Sequence, residues 1–134
     1  MLALPQLGLH YSVETDASDH GLGDALFQTH KTEEGEEGKP LGYWLRTLTA
    51  PERNYSATEP ECLGVVWEVQ KLRPHLLYEK FTVYTDHHSL RWLMTVTDPS
   101  LRMTRWRLRL ADFDFTISYK TEHISTTRMR YHVY

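Results

Sequence analysis

Three carboxylates stand where segments of different kinds begin or end. Asp16 and Asp86 each follow a short strand-like segment, and Glu61 falls in the first turn of a predicted helix. Carboxylate oxygens are the hard ligands that Mg²⁺ prefers, and two divalent ions about 3.5–4 Å apart can drive phosphodiester hydrolysis. Because three carboxylates in one place repel one another without a cation, their convergence would indicate a metal site. The alternative is that the two aspartates only form turns, as strand-end aspartates commonly do.

Five strands and three helices are predicted to position these residues. The strands are residues 10–15, 23–29, 41–48, 81–85 and 113–119, and the helices run from 57–59 to about 72, over 89–94 and over 101–112. Three leading strands with short connections favour an antiparallel meander, and a strand after a long helix favours a parallel crossover. The predicted fold class is therefore α/β, a mixed five-stranded sheet with helices packed on it. In such a sheet Asp16 and Asp86 would emerge at one edge, with Glu61 over it.

Local signals define the ends of two of these elements. Two pairs have the capping-box spacing of a helix start, Ser56 with Glu59 and Thr58 with Glu61. Glycines and glutamates in residues 31–39 (KTEEGEEGK) predict an exposed hairpin loop.

Composition limits the class of protein. The 134 residues suit one domain, carry a net charge of −3, and include a single cysteine, which excludes an internal disulfide. No apolar run approaches the roughly 18–20 residues of a membrane span, and the first residues lack the basic region of a secretory signal. We expect an intracellular monomer that does not enter membranes.

Five motifs occur in order along the chain. The main ones are TDASDHGLG at 15–23, ERNYSATEPE at 52–61, TDHHSLRWL at 85–93 and RMTRWRLRLADFDF at 102–115, with LALP at 2–5 ahead of them. Together they resemble the ribonuclease H domain of reverse transcriptases from gypsy-type long-terminal-repeat retrotransposons. The resemblance covers about residues 2–120 and leaves 121–134 as a divergent tail within the domain 1–134.

The resemblance implies both a fold and a reaction. The fold is ribonuclease H-like, and the reaction is cleavage of the RNA strand of an RNA–DNA hybrid with two Mg²⁺ ions. By motif, Asp16, Glu61 and Asp86 correspond to catalytic, metal-binding carboxylates. Ser18 and Asn54 are similar to short polar side chains that contact the hybrid in this family. The implied partners are an RNA–DNA hybrid and the parent reverse transcriptase polypeptide.

The tail departs from the family. A fourth aspartate, in a segment like NxxADALSR, would fall near Thr127 or Met129, and neither residue is acidic. The final helix is also predicted to be truncated. The ion that activates the attacking water would lose a charged ligand, which predicts a rate penalty of about a thousandfold or more.

Three hypotheses follow from this departure. The first is a ribonuclease H endonuclease with impaired activity, and the second is a catalytically inactive remnant that binds hybrid or nothing. A structural connection domain is a weaker third, because a spacer has no use for three surviving carboxylates. The YxDD pair of a polymerase site is absent from the sequence.

Further residues carry predictions of their own. Arg102, Arg105 and Arg109 share one face of the last predicted helix, where they could neutralise phosphates or simply be solvated. Asp24 stands where the family usually has alanine, so it would cost stability if buried, gain a proton, or face the metal edge. Leu45 replaces a usual serine, which we interpret as a packing change.

Overall fold

The computed structural model describes residues 2, 4–56, 58–85 and 88–119. Its strands are β1 (Tyr11–Ala17), β2 (Gly21–Thr32), β3 (Gly35–Thr47), β4 (Lys80–Thr85) and β5 (Asp114–Tyr119). They form one sheet in the order β3-β2-β1-β4-β5. β1 pairs antiparallel with β2 and parallel with β4, while β2–β3 is antiparallel and β4–β5 is parallel. The predicted mixed five-stranded sheet and α/β class are confirmed.

Five helices connect and cover these strands in the described part of the chain. They are α1 (Ala50–Arg53), α2 (Glu59–Lys71), α3 (Arg73–Leu76), α4 (Ser89–Thr95) and α5 (Leu101–Leu110). α2 makes the parallel crossover and packs mainly on β1, while α4 and α5 pack against α2. None of the helices in the described ranges has the length and apolar character to span a membrane. The predicted truncation of a final helix, and the tail at 121–134, lie outside the described residues.

The predicted hairpin loop is mostly strand. Only Glu33 and Glu34 form the turn, because antiparallel pairing between β2 and β3 continues to Thr32 and Gly35. Gly35 has a φ of 121°, a backbone conformation that side-chain-bearing residues rarely adopt. The prediction that 31–39 is a loop was therefore wrong for most of the segment. Backbone pairing between two antiparallel strands can continue where the side chains are polar and exposed.

α2 lies very close to the sheet, and this contact fixes which strand residues face it. A methyl group built on Gly64 of α2 would lie 3.5 Å from the Cβ of Thr15. Thr15 therefore points at α2, together with the buried Val13 two residues earlier. Since successive side chains of a strand alternate, Asp16 projects from the other face of β1.

The reactivity of Cys62 is a chemical probe of how α2 packs. Its side chain is fully buried and its Sγ donates a hydrogen bond to the Ser89 carbonyl at 3.4 Å. Burial, and then the negative charge of Glu61, raise the pKa of the Cys62 thiol to about 12. Because the thiolate is the reactive form, we expect iodoacetamide to leave folded protein unlabelled at pH 8 in intact-mass measurements. Guanidinium-unfolded chain, the control, should label fully; equal labelling of the folded chain would contradict this packing.

Candidate metal-binding edge of the sheet

Asp16 occupies the end of β1. It is the last residue but one of the strand, is exposed, and pairs with Gly23 of β2. Asp16 borders an open cavity of about 530 Å³ whose other walls include Gly23, Leu45 and Thr47. Leu45 is 89% exposed in this wall, so the interpretation of its substitution as a packing change was wrong.

Glu61 is held at the start of α2. The residue is 3% exposed, and its Oε1 accepts a hydrogen bond of 2.7 Å from the hydroxyl of Thr85. Thr85 ends β4 and directly precedes Asp86 in the sequence. The predicted capping box of Thr58 with Glu61 is wrong, because Thr58 makes no side-chain cap hydrogen bond. Instead, the buried hydroxyl of Thr85 binds the Glu61 carboxylate and directs it at the sheet.

The two described carboxylates border the same edge from different sides. The cavity next to Asp16 and a second cavity next to Glu61 share Ala17 and Ser18 in their walls. Asp86 lies outside the described residues. Over 4–56, 58–85 and 88–119 there is no cluster of three or more metal-ligating side chains. The convergence of Asp16, Glu61 and Asp86 therefore stays a prediction.

The predicted polar contacts, Ser18 and Asn54, are both exposed, and Ser18 lines both cavities of this edge. The Ser18 hydroxyl accepts hydrogen bonds from the backbone N–H groups of His20 and Gly21, at 3.3 and 3.2 Å, and so shapes the turn between β1 and β2. Asn54 is the C-cap of α1. Their predicted role toward nucleic acid is not tested by these contacts.

α1 itself was not predicted, although its signal is present in the sequence. The hydroxyl of Thr49 accepts from the Glu52 N–H and the Glu52 carboxylate accepts from the Thr49 N–H, which is a complete capping box. Arg46 of β3 donates two hydrogen bonds to Glu52, at 2.9 and 2.7 Å. These bonds lower the pKa of Glu52 and tie the loop that leads to α2 to the end of the sheet.

We expect Glu52→Gln to destabilise the protein by about 1–2 kcal/mol at pH 7, because an Arg–carboxylate pair becomes a neutral contact. The pKa of Glu52 is lower in the folded state than the roughly 4.3 of an unfolded chain, so its contribution exists above that value. It is lost as pH falls through the folded-state pKa. Urea denaturation should show the difference at pH 7 and none near pH 2.

The control for this prediction is Glu36→Gln, which changes an exposed glutamate of the β2–β3 hairpin. It should leave the free energy of unfolding unchanged at both pH values. A Glu52→Gln deficit that persists in acid would assign the effect to packing and not to charge.

The arginines of α5 do not share one environment. Arg105 and Arg109 are exposed, whereas the Arg102 guanidinium is hydrogen-bonded to Glu59. All three border a cavity between α2 and α5 that Trp67 also lines. The basic face predicted from their spacing therefore exists, with one of its charges already paired.

Asp24 is buried under α2. It is 1% exposed, and a methyl group built on Gly64 would lie 3.7 Å from its Oδ1. Asp24 pairs with Thr15, which faces α2, so its side chain occupies the opposite face of the sheet from that of Asp16. Of the alternatives considered for Asp24, its position matches that of a buried carboxylate.

Comparison with known proteins identifies relatives across most of the chain. A family model described as "RNase H-like domain found in reverse transcriptase" matches residues 7–113. The Pol polyprotein of transposon 297 from Drosophila melanogaster is 38% identical over 119 residues, 89% of this chain and 10% of the relative. The Pol polyprotein of transposon gypsy from the same fly is 30% identical over 122 residues, 90% of the chain and 11% of the relative. The chain thus spans about a tenth of the length of these polyproteins.

Solved structures agree with the fold. The foamy viral protease-reverse transcriptase in complex with dsDNA superposes with a TM-score of 0.68 at 19% identity, covering 92% of this chain and 26% of that one. The same viral protein in complex with an RNA/DNA hybrid gives 0.68 at 18% identity, over 90% and 16%. Fold, sequence relatives and family match agree, and the chain belongs to the RNase H-like domain family found in reverse transcriptases.

Proposed function

We propose that this chain is the ribonuclease H module of a gypsy-type retrotransposon reverse transcriptase and cleaves the RNA strand of RNA–DNA hybrids at a reduced rate. The observation that carries the proposal is the placement of Glu61. A carboxylate that is 3% exposed at a helix start accepts a hydrogen bond from Thr85, the residue before Asp86. Burying a carboxylate costs free energy, and a cation bound at this edge would offset that cost.

The donor set fits Mg²⁺. Asp16 and Glu61 would supply carboxylate oxygens, the hard ligands of this ion, from two adjoining cavities that share Ala17 and Ser18. We propose Asp86, next to Thr85, as the third ligand. When bound, two divalent cations would activate the attacking water and neutralise charge on the scissile phosphate. The protein's part is to hold these oxygens, with Thr85 orienting the Glu61 carboxylate.

The hybrid would lie across this edge and extend over the basic face of α5. We propose that Ser18 and Asn54 contact its backbone near the cleavage point and that Arg105 and Arg109 neutralise phosphates beyond it. Arg102 lies on the same face but is paired with Glu59. The foamy viral reverse transcriptase complexes contain dsDNA and an RNA/DNA hybrid, which supports this class of ligand. In the intact element the parent reverse transcriptase polypeptide would carry this module, and the isolated chain would be a monomer.

A labelled RNA–DNA hybrid incubated with purified protein and Mg²⁺ tests the proposal. We expect slow cleavage of the RNA strand, dependent on Mg²⁺, and its loss in Asp86→Asn, because a ligand charge is removed without a change in size. Single-stranded RNA of the same sequence is the control substrate. Cleavage that persists unchanged in Asp86→Asn would contradict the proposed site.

The second candidate is a module that binds hybrid without cleaving it. The observation that favours it is the absence of an acidic residue at Thr127 and Met129, where the family has its fourth aspartate. Hybrid binding without any Mg²⁺-dependent cleavage, under the same conditions, would select this candidate over the first.

A further inference from the structure

Arg102 reaches from α5 to the first residue of α2. Its Nε donates to Glu59 Oε2 at 2.9 Å, and its terminal nitrogen donates to the same oxygen. The guanidinium carbon also lies 3.9 Å from the centre of the Tyr55 ring, in the segment that leads to α2. One cation therefore contacts both the start of α2 and the segment before it.

Glu59 connects this cation to its own segment of chain. Its Oε1 accepts a hydrogen bond from the Ser56 hydroxyl at 3.0 Å and from the Ser56 N–H at 3.4 Å. The side chain of Glu59 is only 13% exposed. Glu59 therefore joins Arg102 of α5 to Ser56 of the segment before α2.

The N-cap residue of α2 does not close the helix start with its side chain. Thr58 occupies the N-cap position without a side-chain cap hydrogen bond, so the usual device for fixing a helix start is missing. A paired cation stacked on an aromatic ring can replace it, since charge-assisted hydrogen bonds and cation–π contacts both stabilise the groups that they join. Glu61 lies in the same helical turn, two residues after Glu59.

We infer that Arg102, Tyr55 and Glu59, here called the Arg102 clamp, position the Glu61 carboxylate for metal binding. Arg102 is on this account a positioning residue whose charge is paired with Glu59. Arg105 and Arg109, the other two arginines of this face, are exposed and can present their charge to phosphates. The inference deepens the proposed function and rests on it, because it presumes that Glu61 binds a divalent cation.

Mn²⁺ binding without nucleic acid tests the clamp, with free Mn²⁺ followed by electron paramagnetic resonance. We expect Arg102→Gln to raise the dissociation constant about tenfold, the lower end of what loss of support behind a metal ligand costs. Arg102→Lys should recover part of this, because it keeps the charge beside Glu59. Glu59→Gln should weaken binding as Arg102→Gln does, although it leaves Glu61 unchanged.

The matched control is Arg73→Gln. Arg73 also pairs with a carboxylate, Asp112 at 3.4 Å, and lies 5.7 Å from the centre of the Phe113 ring, but it is on α3 and contacts no part of the α2 start. It should change Mn²⁺ affinity less than twofold. Thermal unfolding in the absence of metal measures the stability of Arg102→Gln and Arg73→Gln. If the two variants are equally destabilised, a loss of Mn²⁺ affinity that only reflected lower stability would appear equally in both.

Salt dependence of hybrid binding gives a second readout. Arg105→Gln and Arg109→Gln should each reduce the slope of log K against log salt by about 0.9, the value for one phosphate contact. Arg102→Gln should leave that slope unchanged. A reduction by Arg102→Gln equal to that of Arg105→Gln would overturn the assignment of Arg102 to positioning.

Glu61→Gln separates failure of the clamp from failure of the proposed function. If Glu61→Gln loses Mn²⁺ affinity while Arg102→Gln and Glu59→Gln bind like wild type, the clamp is overturned and the metal site stands. If wild type and Glu61→Gln bind Mn²⁺ equally, or neither binds it, the proposed metal site fails and the clamp fails with it.

Discussion

Placing an aspartate near position 127 or 129 is expected to raise Mg²⁺-dependent cleavage of the hybrid by about a thousandfold. In the family resembled here, the fourth aspartate shares with the first the ion that activates the attacking water. Asp16 would hold that ion without this partner in the natural chain, since Thr127 and Met129 are neutral. A charged ligand that binds the ion in the transition state is worth several kcal/mol, and about 1.4 kcal/mol corresponds to tenfold in rate.

Single-turnover rates of Thr127→Asp and Met129→Asp, made separately, measure this effect. Both positions lie outside the described residues, so the two variants test both alignments of the tail. Thr126→Asp adds the same charge at a neighbouring position and should leave the rate near that of the natural chain. A natural chain that already cleaves as fast as either variant would show that the missing carboxylate is not limiting.

The arrangement of the sheet could be predicted from the sequence because it follows from connection lengths. Short links between the first three strands allow only hairpins, and the long α2 permits the parallel pairing of β1 with β4. The main prediction about the site depends on this pairing, because it places the end of β1, with Asp16, and the end of β4, with Thr85, at one edge of the sheet. Strand alternation then decides that Thr15 and Asp16 occupy different faces, which motif spacing alone does not reveal.

The partners of individual polar groups could not be predicted, because they come from distant parts of the chain. Thr58 and Glu61 have the spacing of a capping box, yet the Glu61 carboxylate accepts from Thr85, 24 residues later. Arg102 was predicted to neutralise phosphates or to be solvated, and spacing gave no sign of its contact with Glu59, 43 residues earlier. Local patterns report what neighbours in sequence can do, while tertiary packing supplies competing donors and acceptors.

α1 is a helix that the sequence signals locally, through the Thr49–Glu52 capping box, but that was not predicted. Thr49 and Glu52 have the same capping-box spacing as the pair at Thr58, and here both reciprocal hydrogen bonds form. The difference is that Arg46 adds two hydrogen bonds to Glu52 and keeps the carboxylate at the helix start. A capping box therefore forms where other partners keep its acid at the helix start, as Arg46 does for Glu52, and is lost where they draw the acid away, as Thr85 does for Glu61.

Replacing Asp24 with alanine is expected to increase the free energy of unfolding by about 1–3 kcal/mol, because desolvating a buried polar group costs about that much and alanine carries no such group. Asp24 is 1% exposed, and its Oδ1 shares the space around Gly64 with the Cβ of Thr15 and the side chain of Leu22. Desolvation of this buried carboxylate opposes folding.

An opposing effect comes from Lys71, and its size decides the sign of the result. Burial lowers the pKa of Lys71, and the negative charges of Asp24 and Glu68 offset part of that lowering. Lys71 is exposed, so loss of this attraction should cost no more than the roughly 0–1 kcal/mol of a surface ion pair. Urea denaturation at pH 7 measures the balance, with Asp24→Asn as the isosteric control for charge. A less stable Asp24→Ala beside an unchanged Asp24→Asn would mean that hydrogen bonds of this side chain outweigh its desolvation, and that this departure from the family is structural.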